Sequence, residues 1–487
     1  MKKKLPNRTT ASPEGVTALE LKSSALRQNP SLYEINTRIR LQELSTELGR
    51  KATLADISDR ELDRLAQSGF DWIWLLGVWQ TGDSSRKVSR EKKEWRAEYQ
   101  EFLPDYRDED ICGSSFAVKH YEVHTDYGGN AALAALRQRL RQRGMRLLLD
   151  FVPNHTALDH PWVEKHLEFY IRGTEEQLRR EPENYIRLQT ARGAVVLALG
   201  RDPNYPGWPD ALQLNYAEPA LQEAMRVQLG NVAALCDGVR CDMAMLILPE
   251  VFERTWGLHS QPFWPVATQS IRKSRPEFIF LAEVYWDLEW TLQQQGFDYT
   301  YDKRLYDRLR DGQARPVRDH FRADLKFQQK SARFLENHDE PRAAAVFTPE
   351  MYGAAAVLTF LCPGLRFFHE GQFEGRTRRV SNHLGRRAQE TINPSLQEFY
   401  GRLMSCVHQA QDGKWQLLDC TSAWHGNWTW DCFICSAWSK PDSLLIIAVN
   451  YAANQSQCRV QLPFEVLRGR KVRLQDLMSP ATYERDG

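Results

Sequence analysis

Helix-patterned segments and short, continuous apolar runs alternate along most of this 487-residue chain, and that alternation restricts the fold more than any other feature. Ser58 and Glu61 form a capping box, Leu62, Leu65 and Ala66 an apolar stripe at helical spacing, and Gly69 a stop. DWIWLLGVW (71–79) follows at once and has the unbroken apolar character of a strand covered on both faces. LYEINTRIRL (32–41) reads as the strand before it. The unit then recurs: NAALAALRQRLRQRG before MRLLLDF, Pro219–Leu235 before VRCD, PVATQSIRKS before EFIFLAE, DLKFQQKSA before RFLENHD, and MYGAAAVLTFL before LRFFHEG. Helices alternating with buried strands across short joints imply a parallel sheet. Six to eight such units over about 370 residues favour a closed (β/α)8 barrel over an open doubly wound sheet. No G-x-G-x-x-G phosphate loop follows the first strand, which argues against the open form.

One joint is too long. The strand ending at Asp150 and the one ending at Asp242 are about 90 residues apart, where a regular unit takes roughly 30. The surplus, 157–212, is rich in charge, Pro and Gly around one apolar patch (194–199), and reads as a small domain inserted after the third strand. Beyond about residue 405 the pattern turns to short strands and turns, such as SLLIIAVNY, QCRVQLPF and KVRLQDL with Val472 and Leu474. The expected division is therefore barrel over 1–156, insert over 157–212, barrel again over 213–404, and an all-β domain, expected as a small sandwich, over 405–487. Residues 1–30, polar and broken by Pro6, Pro13 and Pro30, read as a flexible lead.

Charge excludes some partners. Lys and Arg number 64 against 63 Asp and Glu, a net +1 that gives no electrostatic footing for nucleic acid or an anionic membrane. MKKKLPNRTT has no apolar run behind it, so it reads as neither signal peptide nor anchor, and no stretch has the roughly 18 apolar residues of a membrane helix. Nine scattered cysteines, among them Cys236 and Cys362 inside apolar runs, suit free thiols in a reducing cytoplasm. Cys432 and Cys435 form a C-x-x-C within a strand pattern, where alternation sends the two sulfurs to opposite faces and gives them no joint role. Fifteen Trp, 17 Tyr and 21 Phe supply rings that stack on sugars as readily as they fill cores.

Four strands end in acid-bearing motifs: LLLDFVPNH (Asp150, Asn154, His155), GVRCD (Arg240, Asp242), FLAEVYW (Glu283) and FLENHD (Asn337, His338, Asp339). In a parallel barrel the C-terminal strand ends share one rim, where such folds carry their active sites. Crowding like charges onto one rim costs free energy, and a sequence that accepts this cost points to chemistry. Arg240 and Asp242 lie two apart, so along a strand they face the same way, and the guanidinium favours an ionised carboxylate. Several carboxylates without a Ser or Cys nucleophile suit glycoside cleavage, which needs one carboxyl neutral and one ionised. The His residues lack the H-x-x-x-H spacing of a metal pair; beside Asn on such a rim they suit hydrogen bonding to a polyhydroxyl substrate.

Taken in order, these four stretches resemble the signature regions of the alpha-amylase family of retaining α-glycosidases and transglycosylases. The likeness runs from about Tyr33 to Gln372 and includes INTRIR, GFDWIWLLGVW and SSFAVKHY. It implies Asp242 as nucleophile, Glu283 as general acid/base and Asp339 as the acid that binds sugar hydroxyls and stabilises the transition state. Asp150, His155, Arg240 and His338 would line the site of the reacting ring, with Phe116 where the family usually has a stacking Tyr. Trp79, Trp208, Tyr285 and Trp286 offer sugar platforms. Two departures bear on substrate: Met245 and Leu246 stand where many family amylases carry a Lys–His pair, and Gln213 stands in LQLNY where Asp is common. Many members hold calcium through the Asn of the first motif, so the resemblance leaves a structural calcium ion open at Asn154, with Asp202 or Asp210 as a second oxygen ligand. No cofactor is expected for the chemistry itself. The expected function is hydrolysis of α-glucosidic bonds in α-glucan or maltooligosaccharides by double displacement. Transglycosylation with the same residues, and a non-catalytic carbohydrate-binding or scaffold homologue, are the alternatives.

Overall fold

The computed structural model describes residues 27–486. Eight parallel strands pair in sequence order and close into a barrel: β1 (Ser31–Asn36), β2 (Trp72–Leu76), β3 (Arg146–Phe151), β4 (Gly238–Cys241), β5 (Ile279–Ala282), β6 (Tyr299–Tyr301), β7 (Ser331–Arg333) and β8 (Leu365–His369). Closure runs from Ser31↔Arg366 to Glu34↔His369 between β1 and β8. Every residue of the eight strands is buried except Arg146, which is why the longer ones read as unbroken apolar runs. β6 is the strand the sequence pattern misses, and β7 shares only Arg333 with the expected run RFLENHD, because three residues are too short to show a period.

Inside the barrel, Trp74, Tyr301, Phe334 and Phe367 form an aromatic layer with ring centroids 5.3–5.7 Å apart. Edge-on and tilted contacts of this kind add about 0.5–1.5 kcal/mol per pair beyond simple burial. The layer makes a rigid floor beneath the rim.

The first expected strand is half helix. β1 ends at Asn36, whose side chain accepts from the Ile39 N–H at 3.4 Å and caps the helix Thr37–Leu48. The helix Asp59–Gln67 has Leu62 and Leu65 inward and Ser58 accepting from Glu61 N–H, but the capping box is only half made, because the Glu61 carboxylate accepts from Arg40 at 2.8 and 3.0 Å. Most of the proposed flexible lead lies outside the described residues. Its last two positions are built into the barrel: Asn29 Oδ1 accepts from Gly364 N–H at 2.9 Å, and the Pro30 carbonyl from Arg366 N–H at 2.9 Å.

Two excursions leave the barrel's C-terminal rim. The expected insert is present as a four-stranded antiparallel sheet of His155–Ala157, Trp208–Gln213, Gly193–Gly200 and Tyr185–Thr190, in that order. Its root is the pair His155↔Gln213. The other excursion follows β2. It carries the ribbon Trp79–Thr81 with Val118–Val123 and the helices Asp83–Glu91 and Lys93–Phe102, and it delivers Phe116. At the C-terminus, the helix Pro394–Ala410 leads into a three-stranded sheet (Lys414–Leu418, Phe433–Lys440, Ser443–Asn450) and two two-stranded ribbons. Trp438 Nε1 donates to the Leu361 carbonyl at 2.7 Å and Tyr451 Oη to the Leu309 carbonyl at 2.7 Å, anchoring these sheets to the barrel.

Candidate active site

Arg240, fully buried on β4, stands at the centre of the acid-bearing strand ends. Its Nη1 donates to Asp242 Oδ1 at 2.7 Å and lies 3.6 Å from Asp150 Oδ1, while Nη2 donates to Glu283 Oε2 at 2.6 Å. The guanidinium carbon sits 5.3 Å from the Trp74 ring centroid, 5.0 Å from Phe116 and 6.0 Å from Tyr301, so aromatic faces wall it on several sides. The planar fork thereby holds two carboxylates in fixed relation.

The backbone fixes the same pair. Asp242 N–H donates to the Phe151 carbonyl at 2.9 Å, Glu283 N–H to the Cys241 carbonyl at 3.1 Å, and Ala244 N–H to the Glu283 carbonyl at 3.0 Å. Met243 takes the left-handed conformation, φ 42°, and its N–H donates to Glu283 Oε2 at 2.8 Å. Tyr285 Oη donates to the other carboxylate oxygen at 2.8 Å. Burial drives the Asp242 carboxyl up to about 7 against the pull of Arg240, with Glu283 and Asp150 adding repulsion. Burial likewise raises Asp150 to about 6, although Arg240 and the Gly77 N–H, 2.9 Å from Oδ2, favour its charge. Gly77 sits at φ 73°, and a Cβ there would come within 2.8 Å of Ser115, so the turn that aims this N–H requires glycine.

His338 and Asp339 complete the rim. His338 Nδ1 lies 2.6 Å from Glu34 Oε1 and Nε2 lies 3.0 Å from Asp339 Oδ2. Burial disfavours charge on this imidazole, but the two carboxylates outweigh it and raise the group to about 10. Asp339 is held well below the usual carboxylate range: burial alone would raise it, and the His338 cation more than reverses that. Asn382 Nδ2 donates to its Oδ1 at 3.1 Å. The Asp339 side chain remains 35% exposed, so the site opens to solvent on this side. The Phe116 ring lies between, 5.5 Å from His338 and 5.0 Å from the Arg240 carbon.

Seven of the residues singled out in the sequence, Asp150, Arg240, Asp242, Glu283, His338, Asp339 and Phe116, thus form one connected cluster. His155 joins it through the Phe116 backbone; its ring lies 5.0 Å from Trp208, and burial lowers it to about 4, so it is neutral. Trp79 is no platform: it is fully buried and its indole N–H donates to the Asp150 carbonyl at 2.8 Å. Met245 and Leu246 are buried in the turn Ala244–Ile247 and present nothing to a ligand. Sequence reasoning missed Glu34, Trp74, Tyr301 and Asn382. Glu34 alone left a signal, as an acid in the middle of the apolar strand LYEIN.

Residues 53–402 match the family profile described as "Alpha amylase, catalytic domain". The chain belongs to the alpha-amylase family. Among curated relatives of this alpha-amylase family protein, Alpha-amylase MalA of Haloarcula japonica is 26% identical over 364 residues, 72% of this chain and 45% of the relative. Alpha-amylase 3 of Dictyoglomus thermophilum is 21% identical over 276 residues, 52% of each chain. This alpha-amylase family chain therefore spans about half the length of the curated relatives it matches. The structure of a noncanonic maltogenic alpha-amylase, AmyB from Thermotoga neapolitana, superposes with a TM-score of 0.67 at 18% identity, covering 94% of both chains. The alpha-amylase from Lactobacillus plantarum gives 0.64 at 20% identity, covering 94% of this chain and 95% of that one. At these identities the likeness is one of fold.

The donor set of this alpha-amylase family member does not fit calcium at Asn154. Gln213 Nε2 lies 3.0 Å from Asn154 Oδ1, 3.1 Å from the Asn154 carbonyl and 3.1 Å from the Leu214 carbonyl, while Gln213 Oε1 accepts from Asn154 Nδ2 at 3.2 Å. An amide N–H2 group thus sits among three oxygens, where a cation would have to sit. Asp202 Oδ1 accepts from the Asn204 and Tyr205 N–H groups of its own turn. Asp210 packs against the helix Asp83–Glu91, its carbonyl accepting from Ser85 Oγ at 2.7 Å. Among the described residues, no helix is long and apolar enough to span a bilayer.

Proposed function

We propose that the protein is a retaining α-glycosidase acting on α-glucan or maltooligosaccharides. The observation that carries this reading is the single Arg240 fork that grips Asp242 and Glu283 together at the open rim. Two carboxyls so held, at the rim beside an ionised Asp339, suit double displacement, for which such pairs stand about 5–5.5 Å apart. Asp242 attacks the anomeric carbon while Glu283 passes its proton to the departing oxygen. Water then gives up a proton to Glu283 and displaces Asp242, restoring both groups. The first step needs Asp242 ionised and the proton on Glu283; the Arg240 bond at 2.7 Å favours the ionised Asp242. Asp339, charged beside the His338 cation, binds hydroxyls and offsets positive charge developing on the ring. Phe116 supplies a stacking face.

Hydrolysis and transfer use the same residues and differ in whether water or a sugar resolves the intermediate. Relatives include Alpha-1,4-glucan:maltose-1-phosphate maltosyltransferase of Corynebacterium glutamicum, 25% identical over 46% of this chain and 28% of that protein. Product chromatography with maltooligosaccharides separates the two: only shorter chains mean hydrolysis, longer ones as well mean transfer. Asp242→Asn is expected to lower kcat roughly ten-thousand-fold with the fold intact by circular dichroism. A rate near wild type in that variant would end the assignment. All nine cysteines stand unpaired, which supports a reducing, cytoplasmic setting.

A further inference from the structure

Two strands of the C-terminal domain and the residue before a third bring three thiols together. Cys435 lies on Phe433–Lys440, opposite Leu418 of the neighbouring strand. Two residues beyond Leu418 the chain enters a ribbon at Cys420, which pairs with Val460, and Cys458 immediately precedes that partner strand. The three Sγ atoms all lie within 4.8 Å of one another. In a tetrahedral thiolate site with metal–sulfur bonds of about 2.3 Å, sulfurs stand about 3.8 Å apart, so closing on an ion needs only small rotations. Cys420 and Cys435 are buried among Leu418 and Ala437, whereas Cys458 is partly exposed and leaves an entry path.

We propose that Cys420, Cys435 and Cys458 bind one thiophilic metal ion, zinc(II) or copper(I), outside the catalytic barrel. A cluster of three sulfurs, with no imidazole or carboxylate joining it among the described residues, selects soft ions and not calcium or magnesium. Binding converts three thiols to thiolates, releases three protons and involves no change of oxidation state. With zinc, the fourth position falls to water on the Cys458 side; with copper(I), three sulfurs complete a trigonal site. The ion ties the three-stranded sheet to the Cys420–Thr421 ribbon, two elements that also share a small apolar cluster.

The test uses the full chain, purified under reducing, chelator-free conditions and titrated separately with Zn2+ and Cu+. Metal content is read by inductively coupled plasma mass spectrometry after gel filtration. One retained ion per chain is expected for wild type. Cys435→Ser and Cys458→Ser should each weaken retention by more than roughly tenfold, the loss already typical of removing an outer partner. Co2+ loading should give a thiolate-to-cobalt charge-transfer band in wild type that is clearly weaker in either variant. Cys458→Ser alters the partly exposed position and keeps the test sound if Cys435→Ser fails to fold. Background metal content after both titrations would overturn the proposal. So would an intact mass lower by two hydrogens that maps to a disulfide within the trio, or retention unchanged by Cys458→Ser.

Discussion

Met243 directs its backbone N–H at Glu283 Oε2, 2.8 Å away, and does so from a left-handed conformation at φ 42°. A non-glycine residue there costs on the order of 1–3 kcal/mol, and the surrounding strand ends must supply it. The strain gives Glu283 a fixed donor beside Arg240. Met243→Gly removes the steric penalty and keeps the N–H, so activity should stay within a few-fold of wild type. Met243→Val adds β-branching at positive φ and should lower unfolding free energy by roughly 1–3 kcal/mol and reduce kcat. Chemical denaturation and steady-state kinetics check both; a fully stable, fully active valine variant would remove the role assigned to this turn.

Tyr285 donates to Glu283 Oε1 at 2.8 Å and so fixes the orientation of this carboxyl. Asp242 must be ionised to attack, and burial raises it to about 7, so kcat/KM should rise as pH climbs through about 7. Tyr285→Phe removes the orienting hydroxyl and should lower kcat several-fold while leaving that limb in place. A full rate in Tyr285→Phe, or a kcat/KM that falls as pH climbs through about 7, contradicts the geometry described.

His338 links Glu34 and Asp339 as a cation raised to about 10. Its unfolded value is about 6.5, so its stabilisation is fully present below pH 6.5 and fades as pH climbs towards 10. His338→Gln should therefore cost more at pH 6 than at pH 10. At pH 6 the loss should be about 3 kcal/mol, because two carboxylates lose their cation. Thermal unfolding across that range measures it; an equal loss at both pH values would show that the imidazole is neutral.

Gln213 fills the space among the Asn154 and Leu214 oxygens with an amide. Chelator should then leave the wild-type melting temperature unchanged. Gln213→Glu turns those three contacts into oxygen–oxygen repulsion and should lower the melting temperature in chelator, with recovery on adding Ca2+. A wild-type melting temperature that drops in chelator would show an ion where the amide is placed.

Much of this was legible in the sequence, for a physical reason. Six of the eight strands are long enough and apolar enough to show themselves, and Asp150, Asp242 and Glu283 sit at the ends of three of them. β6 escaped, and β7 was displaced onto the apolar Phe334 and Leu335 just beyond it, because three residues carry no period. The start of the helix Thr37–Leu48 was masked by Ile39 and Leu41, whose apolarity continues that of β1 until Asn36 caps the turn. Glu34, Trp74 and Tyr301 act at a distance in the chain from everything they touch, and only barrel closure brings them to Arg240 and His338. The thiol trio was hidden in the same way. The C-x-x-C sets Cys435 beside Cys432 in the sequence, whereas in the fold Cys435 meets Cys420 and Cys458.

The proposed nucleophile can be caught directly. A 2-deoxy-2-fluoro or 5-fluoro α-glucosyl fluoride slows the second displacement, and peptide mass spectrometry after proteolysis then locates the ester. The sugar is expected on the peptide carrying Asp242, at one equivalent per chain, and absent from Asp242→Asn. Label on any other carboxylate, or turnover of natural substrate with no covalent adduct under any trapping condition, would contradict the account.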